Sequence, residues 1–198
     1  DGATHQILED IGMMKMLPGM TVINTCDYNQ TKQATIAIAK HPGPVYLRFG
    51  RPKVPNFTTN NEPFIIGKGI KIIEGSDVSI FATGHLVWEA LEAAKELQQK
   101  NISSEVINIT TIKPLDEKII LESIQKTKCA VTAEEHQKLG GLGGRIAQLL
   151  SEKMPSPLEM IGVNDQFGES GKPKLLMKKY KLDAENIIKA CEKVLQRK

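Results

Sequence analysis

Apolar residues at Ile7, Leu8, Ile11, Met14 and Leu17 recur at close to helical spacing, and Pro18-Gly19 closes the run, predicting a helix over 7–17. Met20 to Thr25 (MTVINT) is a short β-branched run that predicts a strand. Asp27 stands where an N-cap belongs, ahead of a helix over 28–40 that keeps Ala34 and Ile38 on one face. His41-Pro42-Gly43-Pro44 is a turn, and Val45 to Phe49 predicts another strand leading into Gly50-Arg51-Pro52. Helix, strand, helix, strand is a piece of a parallel α/β layer.

A second alternation follows. Strands are predicted at Val78–Ala82, Val106–Ile109, Ala130–Ala133 and Leu158–Val163. Helices are predicted from His85 to Gln99, from Leu115 to Ile124, from the glycine-rich turn to Leu150, and from Asp183 to Leu195. Regular alternation implies a parallel sheet covered on both faces. This second unit reads as complete, whereas two strands and two helices are too few for a doubly wound sheet. The first unit is therefore expected to be part of a larger domain, with open strand edges that invite pairing with another chain. Residues 52–63 (PKVPNFTTNNEP) hold three prolines and no periodicity, so the division expected is 1–51, a linker over 52–66, and 67–198.

Composition narrows the class. At 198 residues, 40% hydrophobic and 25% charged, the chain can bury a real core and is not disordered. A net charge of +3 with 5% aromatics gives no basic, aromatic-studded face, so no nucleic-acid partner is expected. No apolar run approaches a membrane span, and no signal-peptide pattern opens the chain. Cys26, Cys129 and Cys191 are far apart and odd in number, which argues for free thiols in a cytoplasmic protein. The first residues are Asp1-Gly2 rather than Met, and this start is expected to be a cut edge with more protein upstream.

Three segments carry candidate chemistry. Asp1-Gly2-Ala3-Thr4-His5-Gln6 gathers a carboxylate and an imidazole just ahead of a helix. His5 is able to donate to a carbonyl oxygen or shuttle a proton. By residue type alone, a helix cap with an exposed histidine is the plainer reading. Arg48 and Arg51 flank Gly50 at the carboxyl end of a predicted strand, where ligands sit in open α/β sheets, and two guanidinium forks there suit a phosphate. The alternative is a pair of surface arginines. Gly140-Gly141-Leu142-Gly143-Gly144 lacks the spacing of a dinucleotide fingerprint and reads as a tight turn into a helix, with a weak anion site left open. Glu134, Glu135 and His136 resemble a metal or acid/base cluster, but adjacent residues on a strand point to opposite faces and converge less simply than a helical HExxH. His41 and His85 sit in or beside turns without a partner at ligand spacing, so these three histidines are expected to be structural or exposed.

DGATHQ, ILEDIGMMKMLPGMTVI, GPVYLRFGRPKVP, ATGHLVWEALEAA, TIKPLDEKII, TAEEHQKLGGLGG and DQFGESGKPKLLMKKYKLDAENI, in that order, resemble the C-terminal part of transketolase. The similarity runs through essentially the whole chain. It departs from the family at Ala3 and at Thr25, where proline is usual. It implies the end of a pyrimidine-binding domain followed by a complete transketolase-type C-terminal domain. The form most like it is the one split into two polypeptides. The resemblance further implies transfer of a two-carbon ketol unit from a ketose phosphate to an aldose phosphate with thiamine diphosphate and a divalent metal (Mg or Ca). On this basis His5 stands beside the substrate carbonyl, Asp1 accepts from a substrate hydroxyl, Arg51 binds the terminal phosphate, and Arg48 is a second contact. The family's metal-binding Gly-Asp-Gly does not occur, and its activating glutamate lies upstream of DGATHQ, so neither cofactor binding nor transfer is expected of this chain alone. An N-terminal transketolase section and a second copy of the chain are the implied protein partners.

Deoxyxylulose-phosphate synthase and the beta subunit of 2-oxo acid dehydrogenases share parts of these patterns, and DQFGESG ahead of KKYKLDAENI favours transketolase over both. A module that serves only assembly or regulation is the rival from outside the enzymes.

Overall fold

The computed structural model describes residues 6–59 and 63–198. The first unit holds α1 (Asp10–Met16), β1 (Thr21–Asn24), α2 (Tyr28–Ile38) and β2 (Val45–Arg48). Asp27 caps α2 as its position predicts, its Oδ1 accepting from Gln30 N at 2.9 Å. The same carboxylate accepts from Phe57 N at 2.9 Å, Thr58 N at 2.7 Å and Thr58 Oγ1 at 2.6 Å. The proline-rich segment is thereby fastened to the first unit, and Phe57 packs on Trp88 with ring centroids 5.8 Å apart.

The second unit runs β3 (Ile70–Ile73), β4 (Val78–Ala82), α3 (Leu86–Gln99), β5 (Ser104–Asn108), β6 (Thr111–Lys113) and α4 (Glu117–Thr127). It continues with β7 (Ala130–Gln137), α5 (Leu142–Lys153), β8 (Leu158–Val163), α6 (Pro173–Lys179) and α7 (Ala184–Leu195). Its five-stranded sheet has the order β3-β5-β4-β7-β8. The β5-β4-β7-β8 ladders are parallel, but β3 adds an antiparallel edge that alternation did not predict. Val78, Ile80 and Ala82 point into a core shared with α3 and α7, while Phe81 packs with Ile120 and Ile124 of α4 and Ile146 and Leu149 of α5. Both faces are covered, so the central strands are buried along their whole length. Ser79, the polar residue within β4, reaches Ser123 Oγ at 2.5 Å and Thr127 Oγ1 at 2.6 Å.

The expected open edge of the first unit is corrected on one side. β1 pairs in parallel with β2, and its other edge is taken by β6, antiparallel, from the second unit of the same chain. Ile11, Val22 and Ile112 form a small core across this seam. The helix predicted over 7–17 begins only at Asp10 because Leu8 O accepts from Gln137 N at 2.8 Å, at the end of β7. Three further groups of this helix and its C-cap are met by the second unit. Gly12 N donates to His136 Nε2 at 3.2 Å, and Lys113 Nζ donates to Lys15 O at 2.9 Å and Leu17 O at 2.6 Å. α1 is thus capped from outside at both ends.

Candidate functional site

The order in which strands are added to the second sheet reverses beside β4, whose neighbours are β5 and β7, and such a switch opens a crevice at the carboxyl ends of the strands. The chain leaves β4 through Thr83, Gly84 and His85, and Glu135 lies near the carboxyl end of β7. Into this crevice comes the end of β2. A Cβ built on Gly50 would fall inside the imidazole of His85, so the ring lies against bare backbone where only glycine fits. His85 Nδ1 is 3.6 Å from Glu135 Oε2, and the imidazole is only 11% exposed. Burial pulls the His85 pKa below the usual imidazole value; Glu135 opposes this and Arg48 adds to it. His85 sits at the N-cap of α3 yet makes no capping bond with its side chain.

Arg48 and Arg51 occupy different surroundings. Arg48 Nε pairs with Asp10 Oδ2 at 2.8 Å, and its Nη2 donates to Glu135 O at 2.9 Å and Ile7 O at 3.3 Å. Tyr46 Oη donates to the same Asp10 oxygen at 2.8 Å, and burial followed by this carboxylate pushes the phenol up to about 12. Arg48 therefore clamps β2, α1 and β7 together. Arg51 lies three residues beyond β2, exposed at the surface, directly after the glycine that meets His85. Asp1 and His5 lie outside the described residues. Gln6, which follows them, is anchored: its Nε2 donates to Glu169 O at 3.0 Å and its side chain packs on Gly168. The DQFGESG stretch thus holds the end of DGATHQ.

The glycine-rich turn supplies its own anion. Glu134 Oε2 accepts from Leu142 N at 2.7 Å and Oε1 from Gly143 N at 2.8 Å, so the chain's own carboxylate fills the N-terminus of α5 where an anion site had been left open. His136 is buried and structural, as expected: Nδ1 donates to Gln137 O at 2.7 Å, which leaves Nε2 to accept from Gly12. His41 Nε2 is bonded to Thr21 Oγ1 at 3.2 Å. Cys26, Cys129 and Cys191 are free and buried, and no described helix is long and apolar enough to cross a membrane.

Sequence reading left His85 as a structural or exposed histidine and did not pair it with Glu135. Gly84-His85 at the end of a buried strand was the available signal, but the two residues it meets come from positions 50 and 135. No spacing rule connects them.

The family model described as "Transketolase, C-terminal domain" matches residues 67–187, and "Transketolase, pyrimidine binding domain" matches 1–56. The chain is 43% identical over 198 residues to a 6-deoxy-6-sulfo-D-fructose transketolase subunit of Clostridium sp. (strain MSTE9), covering all of this chain and 62% of that protein. It is 34% identical over 199 residues to a 1-deoxy-D-xylulose-5-phosphate synthase of Caldanaerobacter subterraneus subsp. tengcongensis, covering all of this chain and 32% of that one. A solved structure titled "Split gene transketolase, inactive beta4 tetramer" superposes with a TM-score of 0.95 at 42% identity, covering 98% of this chain and 64% of its own. The chain thus spans less than two thirds of these proteins. It belongs to the transketolase family, carrying a piece of the pyrimidine-binding domain ahead of the C-terminal domain.

Proposed function

We propose that this chain is the sugar-binding portion of a thiamine diphosphate-dependent transketolase. In this reading a two-carbon ketol unit passes from a ketose to an aldose in an assembly with an N-terminal section and a second copy of the chain. The observation that carries the reading is the contact of Gly50, the residue before Arg51, with His85 at the switch point of the second sheet. Arg51 takes the anionic end of the sugar, bidentate geometry suiting phosphate or sulfonate alike. The sulfo-sugar in the name of the Clostridium relative is consistent with such an anion. Arg48, held by Asp10, adds positive charge behind it. His5 donates to the ketose carbonyl oxygen and Asp1 accepts from a sugar hydroxyl.

Among the described residues no group of three or more His, Cys, Asp or Glu is placed to hold a metal ion, and the sequence has no Gly-Asp-Gly. The residues present do not fit the metal-diphosphate end of the cofactor, which falls to the partner in this reading. Kinship with deoxyxylulose-phosphate synthases supplies the second reading, in which pyruvate is the donor. Reconstitution of the chain with its N-terminal section separates the two. Transfer from a ketose phosphate or sulfonate to an aldose phosphate without gas evolution is expected. Release of carbon dioxide from pyruvate, with the ketose ignored, overturns the proposal.

A further inference from the structure

The contact between His85 and Gly50 is unusual in what it joins. The imidazole belongs to the β4–α3 turn of the second unit, whereas Gly50 belongs to the segment that carries Arg51 out of the first sheet. A histidine at a helix N-terminus ordinarily faces solvent or caps the helix, and His85 does neither. Its ring is oriented by Glu135 Oε2 on one side and rests on Gly50 backbone on the other. Glu135 is in turn fixed through its carbonyl by Arg48 Nη2 at 2.9 Å. The result is a circuit of Arg48, Glu135, His85 and Gly50, from which the chain continues into Arg51.

We propose that His85 is a positioning residue for the terminal anion of the sugar: seated on Gly50 and steadied by Glu135, it sets the backbone from which Arg51 reaches the substrate. This rests on the reading of Arg51 as the anion-binding residue. Contact with the His85 ring limits the backbone angles open to Gly50, and with them the direction in which the next residue leaves the chain, before substrate arrives. Preorganisation of this kind strengthens binding of the charged end without touching the reacting carbonyl. The expected signature is a rise in KM confined to substrates that carry the anion.

The experiment uses the assembled enzyme and two donors, a ketose phosphate and the same ketose lacking its phosphate. His85→Ala is expected to raise KM for the phosphorylated donor about tenfold with kcat within about twofold, and to leave KM for the neutral donor in place. Gly50→Ala, which drives a methyl group into the ring, should show the same selective split. His85→Phe fills the volume without the Glu135 contact and should fall between the two. Arg51→Ala serves as the reference and should lose the preference for phosphate altogether. If Arg51→Ala is selective and the His85 and Gly50 variants depress both donors equally, or neither, the positioning role is overturned while the Arg51 reading stands. If Arg51→Ala shows no selectivity, the Arg51 reading itself fails and takes this role with it. Should His85→Ala fail to fold, His85→Phe and Gly50→Ala decide the matter on the same split.

Discussion

Glu134 is a carboxylate enclosed on all sides, and two opposed effects act on it. Burial raises its pKa, while the amides of Gly143 and Leu142 and the charges of Lys15 and Arg48 lower it; burial wins, leaving it at about 7. A carboxylic acid whose folded pKa lies above its unfolded value stabilises the fold below the unfolded value. That contribution is lost as pH rises through the folded one. From pH 4.5 to 7 the loss is on the order of 3 kcal/mol. Glu134→Gln keeps an oxygen for one of the two amides and removes the titration. Urea midpoints at pH 5 and pH 8 should therefore differ less in the variant than in the parent, and an equal difference in both contradicts the assignment. At this scale the sequence was legible wherever a residue acts on its chain neighbours. Asp27 capping α2 is the case in point, since a cap and its helix are three residues apart. Glu134 capping α5 was not legible, because acceptor and donors are eight and nine residues apart across a glycine turn that mimics a ligand site.

The helix α1 shows how elements of the two units depend on one another. Seven residues are too few for an isolated helix to persist in water. Its last carbonyls are met by Lys113 from β6, a cation at the negative end of the helix. Lys113→Met keeps most of the stem and removes the charge and both bonds. A loss of about 1–2 kcal/mol is expected, read as amide exchange in 10–17 about 5- to 30-fold faster with α3 unchanged. Uniform acceleration across both helices contradicts this local role. The helices α3, α4, α5 and α7 were predictable because each keeps its own period and buries one face, and β4 and β8 because each is a short, largely apolar run. β3 and β6 were not. The first is an exposed edge strand, and the second has three residues that pair with a strand some ninety positions earlier. α6 has no buried residue and so no apolar period to betray it.

Across the whole molecule, the two units are joined through a shared sheet, a shared small core and the Arg48–Asp10–Glu135 clamp, not merely tethered by the proline-rich segment. That junction explains why the candidate site was half visible in the sequence. Arg51 and the DGATHQ motif announce themselves by residue type and order, but the crevice beside Gly50 and His85 is built by folding the second unit onto the first. Family membership and fold follow from the comparisons, and the chemistry proposed for the chain rests on residues at its start. The most direct test is single-turnover ketol transfer by the assembled enzyme carrying His5→Ala. Loss of the carbonyl donor should slow transfer by about 10²- to 10⁴-fold with sugar affinity little changed. Turnover at the rate of the unaltered assembly would contradict the reading of this chain as a source of catalytic groups.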